Sequence, residues 1–100
     1  MATVAEEFQR RGVNRGGELM LRAHDAIAFV QRCRARGMEV LGVDGFHLTE
    51  TTRQPDMGES IDLSRVEDHG RCERNWDRAE QFLLQRIRSD LHFHIVVDET

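Results

Sequence analysis

Met38-Glu39-Val40-Leu41-Gly42-Val43-Asp44-Gly45-Phe46-His47-Leu48-Thr49-Glu50 is the stretch whose reading decides the fold. Val40, Leu41, Val43, Phe46 and Leu48 are strand-forming residues, and only Asp44-Gly45 interrupts them. Asp-Gly between two apolar runs suits a two-residue type I′ turn, which needs positive φ at both central residues. A hairpin turning there pairs Val43 with Phe46, Leu41 with Leu48 and Gly42 with His47. Leu41, Val43, Phe46 and Leu48 then form a core face, with Val40, Gly42, His47 and Thr49 on the other.

Outward from this hairpin, Glu18 to Arg36 carries Leu19, Ala23, Ala26, Ile27, Val30 and Cys33 at three- and four-residue steps. That predicts a helix over 18–36, stopped by Gly37. Upstream, Thr3-Val4-Ala5-Glu6 is a capping-box pattern for a short helix over 4–11. Gly12, Asn14, Gly16 and Gly17 read as a flexible joint. Residues 1–16 are then either a mobile arm or an arm packed through Val4 and Phe8. Downstream, residues 50–60 read as a loop, and Ser60 to Ser64 alternates as a short edge strand. Cys72, Trp76, Ala79, Phe82, Leu83 and Ile87 mark a helix face over 73–89, and Leu91 to Asp98 alternates as a strand with Phe93, Ile95 and Val97 inward.

The chain therefore reads as a single α+β domain of 100 residues. Its predicted sheet has three to four strands, made of the hairpin and the C-terminal strand, in the order α-β-β-(β)-α-β. Two helices cover one face. Cys33 and Cys72 lack metal-site or redox spacing and read as small core hydrophobes. Without an apolar leader or an 18-residue apolar run, the chain reads as cytoplasmic, with no membrane partner.

Charge is uneven. Net charge is −4, yet residues 38–70 carry eight acids against two arginines. Catalytic motifs are absent: no phosphate loop, no GxSxG and no HExxH. The sequence thus predicts a non-enzymatic binding protein without a cofactor, a monomer or weak homodimer that takes a basic protein partner and no nucleic acid. Asp56, Glu59, Asp62, Glu67 and Asp68 would supply complementary charge, with Asp44 and His47 at the hairpin edge. The alternatives are a metal site built from His47, His92 and His94 on the open sheet face, and a self-associating domain.

The run from Arg36-Gly37-Met38 through Val43-Asp44-Gly45-Phe46-His47 resembles the immunity proteins that neutralise tRNA-cleaving colicins, as do Ile61-Asp62-Leu63-Ser64 and the closing helix with Phe93 to Val97. The resemblance implies a ribonuclease toxin as partner, its basic substrate groove plugged by an acidic surface.

Overall fold

A computed structural model describes residues 3–64 and 71–98, and of residues 71–73 the backbone alone. The order is α1 (Val4–Phe8), a 3-10 turn (Gln9–Arg11), β1 (Val13–Arg15), β2 (Glu18–Met20), α2 (Ala23–Ala35), β3 (Val40–Leu48), β4 (Arg53–Asp62), α3 (Arg71–Leu84) and β5 (His92–Val97). The fold is α+β, as its patterning predicts.

β3 is the centre of an antiparallel three-stranded sheet in the order β4-β3-β5. β1 and β2 form a separate hairpin, which meets this sheet at Leu21: its N–H donates to the Phe93 carbonyl at 2.8 Å, and the Phe93 N–H returns the bond at 2.6 Å. Both long helices lie on one sheet face. Between them, Ala26, Phe29, Val30 and Cys33 from α2 and Ala79, Phe82 and Leu83 from α3 meet Val40, Val43, Phe93 and Ile95. Burying each of the larger apolar side chains stabilises the fold by about 1.5–3 kcal/mol. Val4 and Phe8 join this core, and the Phe8 ring sits edge-on to Phe29 at 5.3 Å. The N-terminal arm is therefore packed. Its cap is the predicted one, with Thr3 Oγ1 accepting from the Glu6 N–H at 3.1 Å. Burial pushes the Cys33 thiol up to about 12, consistent with a packing role.

The Asp44-Gly45 turn is not formed. β3 runs straight through it, both residues pair on both sides, and neither has positive φ. The chain reverses instead at Thr49–Thr52, where Thr49 Oγ1 accepts from the Thr52 N–H at 3.0 Å. Consequently Val43 and Phe46 lie on opposite faces, and residues 53–60, expected as loop, form most of β4. Pro55 stands in β4 because β4 is the edge strand, where an imide nitrogen costs no ladder bond.

Three other expectations are corrected. α2 starts at Ala23, because Glu18–Met20 is strand β2. The glycine joint is a tight hairpin turn: Gly16 and Gly17 have φ of 59° and 81°, the type I′ signature that strand twist favours. α3 ends at Leu84, and Ile87, expected in the core, is 46% exposed. At the end of α2, Gly37 (φ 68°) makes the predicted stop: the Met38 N–H donates to the Cys33 carbonyl at 2.8 Å and the Gly37 N–H to Arg34 at 3.1 Å. Asn75, fully buried, joins strand ends to α3 by donating to the Val40 and Leu63 carbonyls, both at 3.0 Å. Among the described residues, no helix is long and apolar enough to cross a membrane.

Candidate functional site

With one sheet face under the helices, alternation assigns the other. Pairing of Val43 with Ile95 and Gly45 with Phe93 is inward, so Gly42, Asp44 and Phe46 face outward beside Val96, His94 and His92. On the other flank stand Asp62, Ser60 and Pro55. One end of this open face is closed. The β1–β2 hairpin reaches across it: Arg15 donates to the carbonyls of Thr49 at 2.7 Å and Thr52 at 3.2 Å, and Arg53 donates to the Arg15 carbonyl and pairs with Glu18. Phe46 lies buried there, 5.7 Å from the Arg53 guanidinium.

The opposite end stays open over Gly42. Leu41, Val96, Ile61 and Met57 wall a groove of about 440 Å³ whose polar groups include Asp44, Ser60 and Asp62. Its outer wall is a bulge. Asp44 pairs with Ser60 and Gly45 with Asp56, so Met57, Gly58 and Glu59 loop out of β4. Ser60 Oγ donates to the Asp56 carbonyl at 3.1 Å and accepts from the Gly45 N–H at 3.3 Å. Gly58 N–H donates to Asp56 Oδ1 at 3.0 Å. This frame carries Met57 outward, 83% exposed.

The expected site residues therefore divide. Asp44 and Asp62 line the groove, and Asp62 Oδ1 accepts from the Ser64 N–H at 2.9 Å. His47, Asp56 and Glu59 line a second cleft of about 460 Å³ with Ser89, Asp90 and Leu91. There two of the carboxylates have partners within the chain. His47 Nε2 lies 2.9 Å from Asp56 Oδ2, and that hydrogen bond, with help from the Gly58 N–H and the His47 charge, holds the Asp56 carboxyl below its usual range. Glu59 pairs with Arg86, whose guanidinium stacks 3.7 Å from the Phe82 ring centre. Glu67 and Asp68 lie outside the described residues. The described members of the expected set thus fall into an open-face groove and an internally paired cleft.

The histidine constellation also comes apart. His92 and His94 face the open side, while His47, one residue beyond Phe46, faces the other. His94 is already used: Nδ1 lies 3.2 Å from the Leu19 carbonyl and Nε2 lies 3.4 Å from Glu18. Burial, and then the Arg22 and Arg15 charges, push His92 below the usual histidine value. Among the described residues, no three His, Cys, Asp or Glu side chains are grouped to hold a metal ion.

Several carboxylates elsewhere are matched. Arg32 and Arg36 both hold Glu7 at 3.0 Å, Arg34 holds Asp77 and Glu80, and Arg22 lies 3.5 Å from Asp90. Asp44 differs: it is half-buried, and no ion pair reaches it among the described residues. The sequence contained a signal for the groove, a glycine inside an apolar strand, which marks a bulge or a missing wall. Compared with known proteins, the chain matches no family model and no curated sequence.

Proposed function

We propose that this chain is a small protein-binding module of the immunity type, which blocks the substrate groove of a basic nuclease toxin with its open sheet face. The observation that carries the reading is Asp44. A half-buried carboxylate usually has its counter-charge beside it, because removing charge from water costs free energy. Here that cation is missing from the described residues, and the carboxylate lines a groove wide enough to admit one.

The net charge of −4 supports the same reading, since it draws a basic partner in at long range. The acidic patch is narrower than residues 56–68 suggest, because His47 and Arg86 answer two of its carboxylates. Affinity would then come from the groove and its apolar walls, while the overall charge sets the on-rate.

The test mixes the purified chain with nuclease domains of tRNA-cleaving colicins and follows tRNA cleavage and association rate against salt. Stoichiometric protection, with an association rate that falls as salt screens charge over about 10 Å at 0.1 M, is expected. Unimpaired cleavage with every such domain, or an association rate indifferent to salt, overturns the proposal.

A further inference from the structure

We infer that the trough over Gly42 receives an arginine side chain of the partner protein, with Met57 lying along it. The inference rests on the protein-binding reading above and adds the chemistry of the contact.

Shape comes first. Gly42 is paired with Val96 on one side and Asp62 on the other, and Leu41 precedes it. Gly42 thus floors a slot with Leu41, Val96 and Met57 among its walls and Asp62 beside it. An arginine stem of three methylenes fits such a slot while its charged head reaches beyond. Asp44, two residues along the same strand, stands where that head would arrive, with Asp62 diagonal to it on β4. Diagonal neighbours of this kind have Cβ atoms roughly 7–8 Å apart or somewhat less.

Charge and hydration then choose between cations. A lysine ammonium is compact and strongly hydrated, and apolar walls would strip its water without replacing it. A guanidinium is more weakly hydrated, is planar, and presents a fork of donors that suits a carboxylate. The exposed thioether of Met57 supplies a polarisable surface for the guanidinium plane.

Met57 is a second, separate reason to place a partner here. It is a large apolar side chain, 83% exposed, on a bulge that the Asp56, Gly58 and Ser60 hydrogen bonds hold in shape. Bulges of this kind re-aim side chains next to functional sites. Glu59, the last bulge residue, is tied by Arg86 on the other side. Met57 therefore projects from a braced segment.

The experiment titrates the isotope-labelled full chain with three capped tripeptides, Gly-Arg-Gly, Gly-Lys-Gly and Gly-citrulline-Gly, and follows backbone amide shifts. Saturable shifts confined to residues 41–44, 57–62 and 96 are expected with the arginine peptide. Citrulline, isosteric but uncharged, should bind about tenfold more weakly or worse, as should Asp44→Asn with arginine, because a hydrogen bond to a charged group contributes at least that much. Met57→Ala, at an exposed position, should weaken binding by a smaller factor without disturbing the fold. Absent shifts, equal binding of citrulline, or lysine binding as well as arginine would overturn the inference. Its failure is separable from that of the nuclease reading: a nuclease complex equally tight with Asp44→Asn removes the arginine contact and leaves the partner, whereas arginine binding without any nuclease complex does the reverse.

Discussion

Gly16-Gly17 and Asp44-Gly45 are both glycine-bearing pairs between strand-forming residues, and the chain treats them oppositely. At Gly16 and Gly17 both φ angles are positive and the chain folds back on itself, setting Arg15 opposite Glu18 and Val13 opposite Met20. At Asp44 and Gly45 the backbone stays extended in the middle of the central strand. The glycine is needed there for room. A Cβ on Gly45 would lie 2.5 Å from the Glu59 carbonyl oxygen and 3.3 Å from the Phe93 ring. One glycine is required for its torsion angle, the other for the space it leaves. A straight β3 also pairs along both edges, with β4 and β5, where a turn would have left two short arms.

That distinction can be broken by substitution. The largest effect is expected at Gly45: Gly45→Ala forces Glu59 or the Phe93 ring to move and should cost about 3 kcal/mol, read as a lowered urea midpoint. Gly45→Asn should be worse still. A cost below about 1 kcal/mol would show that the bulge yields and that packing is not the reason for glycine. Gly17 should respond to torsion alone, since no atom lies within 4 Å of its Cβ position. Gly17→Ala should cost about 1–2 kcal/mol, and Gly17→Asn should recover most of it, because Asn tolerates the left-handed region. Equal losses for Ala and Asn at Gly17 would end the contrast.

Two titrations sharpen it further, one on each side. Beside the N-terminal hairpin, His92 is held below its ordinary 6.5. As pH falls from that value, the unfolded chain takes up the proton first, so stability declines until His92 is protonated in the folded state as well. His92→Gln should flatten this limb of a thermal-midpoint-versus-pH curve; with the ring partly exposed, the effect should stay under about 1 kcal/mol. Beside the bulge, Asp56 is held below its ordinary 3.8. Its contribution is present above that pH and lost as pH falls through the folded value. His47→Gln should move the Asp56 carboxyl part of the way back toward its ordinary titration, because the Gly58 N–H still bonds it, the smallest of these effects, visible by carbon NMR.

Much of the fold was legible where periodicity was long. Ala26, Val30 and Cys33 mark the α2 face, Phe93 and Ile95 the inner side of β5, and Gly37 the helix stop, all from local rules. The β4 strand was not. Arg53, Gln54, Pro55 and Asp56 look like loop because an edge strand with a solvated side has little apolar pattern to show, and three bulged residues break its alternation. Gly16-Gly17 was readable by the same turn rule applied at Asp44-Gly45; the apparent helix beginning at Glu18 obscured it. Of the site, Asp44 and Asp62 were visible as charges. Which carboxylates keep their charge for the outside depends on whether His47 and Arg86 reach Asp56 and Glu59, and such distances exist only after folding.

Pro55 and the adjacent bulge have one more consequence. A second molecule extending the sheet along β4 would meet a nitrogen without hydrogen and, two residues later, three residues out of register. The strand is a poor seed for polymerisation even at high protein concentration. Along this edge, crowded molecules would have to recognise one another, or anything else, through side chains.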